Sequence, residues 1–176
     1  YVATKEEYKD CILFYRLGDF YEMFFDDAIL ASKELELTLT GKDCGMEERA
    51  PMCGIPFHAA DTYINQLVKK GYKVAIGEQV EDPKQAKGLV KREVIRIVTP
   101  GTNLSAESLE ETKNNYLMCI SHIGKYFGIS VTDLSTGVFK TCQIQTVEKV
   151  VDEINKFQPS EVLYHSGIEQ IEDIHT

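Results

Sequence analysis

The 176-residue sequence predicts an α/β protein, a mixed-sheet N-terminal domain followed by a second, truncated domain ordered β-β-β-α-β. Three observations carry that reading. Apolar patterns of period two and period 3.6 alternate over residues 1–103, as they do where strands and helices share one sheet. Three strand-like runs joined by tight turns follow residue 115, the pattern of an antiparallel meander. Between them, residues 104–115 are polar and acidic, with Leu104 and Leu109 the only large apolar side chains, which marks a linker. Domains are therefore expected at 1–103 and 116–176.

Taken in order, residues 11–17 are apolar and aromatic and stop at Gly18-Asp19, which reads as a buried strand ending in a turn. A helix is expected over 20–37, because Phe20, Phe24, Ala28, Ala31 and Leu35 recur on one helical face, with Asp19 as its N-cap. Extended segments at 37–40 and 50–56 flank a polar loop, 41–49, and Pro56 ends the second. A helix follows over 59–70, with Ala60, Tyr63, Ile64, Leu67 and Val68 inward and Gly71 as its stop. Residues 72–80 return as a strand. Asp82-Pro83 and Gly88 make 81–88 a loop, and the strand 92–99 closes at Pro100-Gly101.

In the second domain, strands are expected at 116–123, 125–134 and 137–144, with turns at Gly124 and Ser135-Thr136. Thr146 then caps a helix running to about residue 157, whose apolar face is Val147, Val150, Val151 and Ile154. A strand at 161–165 completes the order, which resembles the opening of an RNase H-like fold cut short. There is no internal repeat.

Apolar residues make up 43% and charged residues 27%, the balance of a globular chain. Apolar runs fall far short of the ~20 residues that span a bilayer, and the N-terminus has no signal layout. Five cysteines, an odd number without a C-x-x-C pair, argue against a disulfide framework and most zinc modules. A cytoplasmic protein is expected. Because the sequence opens on Tyr1 and stops soon after an apolar run, it also reads as a piece of a longer protein.

The net charge of −9 weighs against nucleic-acid binding by the chain as a whole, since phosphate contacts need Lys and Arg. Its distribution matters more: residues 1–103 hold 14 basic and 17 acidic side chains, residues 104–176 only 5 and 11. Lys84, Lys87, Lys91, Arg92 and Arg96 face a single acid, Glu93, and are the candidates for contacts to a DNA backbone. Arg92 and Arg96 should lie on one face of their strand; the alternative for the cluster is a solvated surface.

Neither a G-x-x-x-x-G-K-[ST] phosphate loop nor a G-x-S-x-G turn occurs, so no enzyme activity is expected of this segment. His58 with Cys44 and Cys53 matches no zinc spacing, and a packed histidine is the better reading. Asp133, at a strand end, stands alone where a metal-dependent nuclease needs several convergent carboxylates. No metal is assigned. Periodicity by itself places Phe20 in the core, and Asp19 with Glu22 three residues on resembles a capping box. A structural or partner-binding module is therefore one reading of the whole.

The run Phe14-Tyr15-Arg16-Leu17-Gly18-Asp19-Phe20-Tyr21-Glu22 supports another, because it resembles the signature of the bacterial MutS mismatch-repair family: Phe, any residue, Glu. Residues 51–59, 74–83 and 92–102 agree with the family in order and spacing, so the resemblance covers nearly all of the first domain. Beyond 103 it lies in element order, that of the family's connector domain. One departure is Gly77, where the family commonly has Cys; at a strand position no functional change is expected.

The resemblance implies that Phe20 and Glu22 probe mispaired bases. An aromatic ring can wedge into a base step from the minor groove, and a mispair costs less to unstack than a paired base. Glu22 would follow the ring, accepting from a thymine imino group when ionised or donating to a purine acceptor when protonated. It further implies a parent protein with a C-terminal ATPase domain using ATP and Mg, a homodimer that clamps mismatched double-stranded DNA, and a MutL-type downstream partner. No cofactor is expected in this segment, and by itself it should bind DNA weakly. The two readings of Phe20 differ in burial, since a wedge must be exposed before DNA arrives.

Overall fold

The computed structural model describes residues 1–45, 47–81, 90–105, 113–165 and 168, which divide into two compact units, Tyr1–Ser105 and Ala106–Thr176. The first opens with a helix the sequence reading did not anticipate, α1 (Val2–Glu7), followed by β1 (Ile12–Leu17) and β2 (Phe20–Phe24). These strands form a hairpin in which Leu17 pairs with Phe20 across Gly18 and Asp19. Of the two turn residues only Gly18 has a positive φ, 61°, the pattern of a II′ turn, which matches the twist of the flanking strands.

The helix expected over 20–37 is therefore corrected to β2 followed by α2 (Phe25–Glu34), and Asp19 is a turn residue rather than an N-cap. The physical reason is one of parity. Phe20 and Phe24 are four apart, a spacing shared by one helical face and one strand face. Tyr21 and Met23 decide between them, because they are buried on the opposite face of the strand.

The unit continues with β3 (Thr40–Lys42), β4 (Ala50–Pro56), a 3-10 turn at Phe57–Ala59, α3 (Ala60–Lys69), β5 (Val74–Gln79) and β6 (Arg92–Val98). The strand expected at 37–40 thus lies at Thr40–Lys42, displaced by the C-terminal turn of α2. Beyond Glu81, the expected loop 81–88 lies outside the described residues, as does the linker's stretch 106–112. Helix α3 ends as its Gly predicts: Gly71, at φ 90°, donates to the Val68 carbonyl and Tyr72 to that of Leu67.

The six strands order as β3-β4-β2-β1-β5-β6, with β1 and β5 parallel and every other pair antiparallel. One face packs Phe14, Met23 and Ile55 against Ala28 and Ala31 of α2 and Leu67 and Val68 of α3. The other face packs Cys11, Leu13 and Ala75 under Tyr1 and Tyr8, at the two ends of α1. Helix α1 buries no residue of its own. Asp27 anchors it, accepting from the Tyr1 hydroxyl at 2.6 Å, Lys5 Nζ at 2.8 Å and the Leu13 amide at 3.0 Å.

A bulge interrupts the pairing of β5 with β6: Gly77 pairs with Val94 but Ile76 with Arg96, leaving Ile95 without an opposite residue. An extra residue reverses the facing of all that follows. Val94 accordingly packs with Leu13 and Ala75, whereas Val98 joins the core on the helix side.

The second unit holds β7 (Tyr116–Ile123), β8 (Tyr126–Asp133), β9 (Val138–Ile144), α4 (Val147–Phe157) and β10 (Glu161–Tyr164), within about a residue or two of expectation. Its sheet runs β10-β7-β8-β9, with β10 parallel to β7. Val150 of α4 is fully buried against Met118, Ile120, Ile129 and Val131, and Val147 and Ile154 pack beside it. The Thr146 hydroxyl caps the helix by accepting from the Lys149 amide at 3.4 Å.

Candidate functional site

The hairpin that joins β1 to β2 brings Phe20 to the tip of the sheet and leaves the residue 47% exposed. The core placement that periodicity suggests for Phe20 is thus corrected, and the capping-box role of Glu22 goes with it, since no helix begins there. Because side chains alternate along a strand, Phe20 and Glu22 share one face, with Tyr15 on β1 and Gly54 on β4 as the cross-strand partners of Glu22. Both open onto a concavity of about 510 Å³, walled by Leu37, Thr38, Thr40 and Met52.

The hairpin tip is braced from the other side. The Phe57 amide donates to the Asp19 carbonyl at 3.0 Å, which ties the turn to the end of β4. The Arg16 guanidinium lies 3.9 Å from the centre of the Phe57 ring and 3.7 Å from Glu78. Glu78 also accepts from the Tyr21 hydroxyl; burial, then this carboxylate, pushes that hydroxyl up to about 12. The ring of Phe20 is therefore presented by a turn held on both flanks.

Among the described residues, Lys42 and Arg92 belong to the Phe20–Glu22 face. Lys42 bonds the Glu22 carboxylate from β3, although β4 lies between their strands. Arg92 sits over the Tyr15 ring, 5.5 Å from its centre, and donates to the carbonyls of Arg16 at 2.6 Å and Val90 at 2.8 Å. Those acceptors are neutral, so they fix the guanidinium without cancelling its charge. Lys42 and Gly54 were not picked out as site residues from the sequence, since strand neighbours so far apart in the chain leave no local signal; Arg16 lies within the Phe14–Glu22 run but carried no role of its own there.

The expectation that Arg92 and Arg96 share a face is corrected by the bulge, which turns Arg96 onto the helix side opposite Ile76. Lys91 is exposed and paired with Glu93 at 2.5 Å, and Lys84 and Lys87 lie outside the described residues. Gly77 is buried on β5, where a Cβ would meet the Tyr15 ring at 3.1 Å. The strand position agrees with expectation, and its bareness leaves room for the Tyr15 ring.

Asp133 is fully buried and spent on the turn between β8 and β9, accepting from the Ser135 amide at 2.9 Å and its hydroxyl at 2.6 Å. Burial would raise its carboxyl; the bonds from Ser135, Thr136 and Asn115 outweigh that and hold it below the usual range. Among the described residues no group of three or more His, Cys, Asp or Glu side chains is placed to hold a metal. Nor is any helix long and apolar enough to cross a membrane.

Fold and site together define a two-domain α/β chain that presents an exposed aromatic ring and a carboxylate from one hairpin of its first sheet. The chain belongs to the MutS family: the family model for MutS domain I matches residues 1–107, and that for MutS domain II matches residues 115–175. It is 63% identical over 179 residues to the DNA mismatch repair protein MutS of Lachnoclostridium phytofermentans, covering 99% of this chain and 19% of that protein. The protein of the same name from Acetivibrio thermocellus is 62% identical over 177 residues, covering 99% and 20%. That from Clostridioides difficile is 56% identical over 179 residues, covering 100% and 19%. The chain thus spans about a fifth of the length of these relatives.

Proposed function

We propose that this chain is the DNA-reading part of a mismatch-repair protein, binding mismatched or unpaired bases in duplex DNA as the first step of repair. The observation that carries the reading is Phe20: a large aromatic residue left 47% exposed at the tip of a braced two-residue hairpin, with a carboxylate two residues on along the same face. A free-standing exposed ring earns no folding stability, so its position is better accounted for by an occupant that stacks on it. Phe20 enters the minor groove and tests a base step for mechanical weakness, since a mispair surrenders its stacking at lower cost. Glu22 then bonds the edge of the displaced base. Arg92, fixed on the same face, supplies backbone attraction, with Lys84, Lys87 and Lys91 as further candidates and Arg96 excluded from this face.

The family membership supports extending this to a longer parent protein: a homodimer in the cytoplasm, with one subunit inserting its Phe, an ATPase domain that binds ATP and Mg, and a MutL-type partner downstream. The test is binding by the full-length protein to paired and mismatched duplexes. Phe20→Ala should abolish the preference for a mismatch while leaving the protein folded, and Glu22→Gln should alter which mispairs are preferred. If Phe20→Ala keeps the preference, the ring is not a wedge, and the alternative of a structural or partner-binding module gains.

A further inference from the structure

Glu22 does not stand free beside Phe20. Its carboxylate is bonded by the Lys42 ammonium, reaching from β3 across β4 to β2. The residue of β4 that lies opposite Glu22 is Gly54, which has no side chain to stand in the way. A Cβ there would come within 3.5 Å of Glu22 Cγ and 3.3 Å of the Tyr21 carbonyl oxygen. Lys42 is aimed as well as admitted, for its Nζ lies 5.5 Å from the centre of the Phe24 ring. The Glu22 side chain is only 17% exposed and that of Lys42 40%, so the pair is partly shielded from water and attracts more strongly than an open surface pair. Among the described residues, the other titratable or charged groups on this face are Tyr15 on β1, Arg92 over the Tyr15 ring and Glu36 across the concavity; Lys42 bonds the carboxylate itself.

We propose that Lys42 is a positioning and specificity residue for Glu22, holding the carboxylate of the base probe in place as a hydrogen-bond acceptor until DNA arrives. This rests on the reading of Glu22 as a base contact and adds to it a bias. A displaced thymine, which offers an imino N–H, can take the carboxylate as it stands. A purine edge that offers only an acceptor finds no donor on a carboxylate held by an ammonium. Lys42 therefore favours thymine-containing mispairs over purine–purine ones.

The experiment is a competition titration of the full-length protein against three duplexes: one with a G·T mispair, one with a purine–purine mispair, and one fully paired. Lys42→Met is expected to lower the G·T preference over the purine–purine mispair about tenfold, as loss of a charge-assisted bond would. Lys42→Arg should restore it. In a Glu22→Gln background Lys42→Met should change nothing further, because no carboxylate remains to be held. Lys42→Gln replaces the Met variant if thermal unfolding shows the latter to be destabilised. An equal loss for all three duplexes, or the same loss in both backgrounds, would mean that Lys42 acts on phosphate by itself and overturns the proposal. If Glu22→Gln shifts the preference and Lys42→Met does not, the clamp fails and the base contact survives; if Glu22→Gln shifts nothing, both fall.

Discussion

Phe20 and Phe14 are the same residue type on adjoining strands of one sheet, yet one is 47% exposed and the other fully buried. Truncation should tell them apart. Phe20→Ala is expected to change the chain's stability by less than about 1 kcal/mol, as surface substitutions do, whereas Phe14→Ala should cost about 3 to 5 kcal/mol. Denaturant unfolding of the two variants checks this. Asp27 offers a second comparison, because it is buried while accepting from Tyr1, Lys5 and Leu13. Asp27→Ala leaves those donors without their acceptor and should cost about 3 kcal/mol, releasing α1 from the sheet. Tyr21 gives a pH signature: its hydroxyl is raised from 10.0 to about 12, by burial and then by Glu78. Stability from this shift is complete below pH 10 and is lost as pH rises through 12, so Tyr21→Phe should flatten the stability curve across that window.

At the scale of elements, the β1–β2 hairpin depends on the positive φ of Gly18. A Cβ there would touch nothing within 4 Å, so Gly18→Ala should cost only the conformational penalty, about 1 kcal/mol, while misdirecting Phe20. Mismatch preference should therefore fall further than stability, measured on the same variant. The bulge in β6 separates the two arginines in the same way. Arg92→Ala should weaken DNA binding and reduce its salt slope by about 1, and Arg96→Ala should leave the slope alone. Titration of both variants at several salt concentrations decides it. Local reading failed at these two elements, as it did at α1 and β3. A four-residue spacing does not distinguish β2 from a helix, and a run such as Arg92–Val98 carries no mark of a bulge that its partner strand imposes. Where a single period dominated the expected inward residues pack: all five in α3, and Val147, Val150 and Ile154 of the four expected in α4.

Across the whole molecule, burial divides the five thiols into two classes. Cys44, Cys119 and Cys142 are exposed, while burial pushes Cys11 and Cys53 up to about 11. Since the thiolate is the reactive form, alkylation near pH 8 should label the first three quickly and the other two only on unfolding, as read by mass spectrometry of digested protein. The sequence by itself determined the fold class, the meander and capped helix of the second unit, and a motif naming Phe20 and Glu22, because these rest on residues close together in the chain. Only the tertiary structure decided that Phe20 is exposed, that Arg92 and Arg96 part company, and that Lys42 reaches Glu22 over Gly54. Each of those depends on strand order and register between segments tens of residues apart, and no local period encodes them.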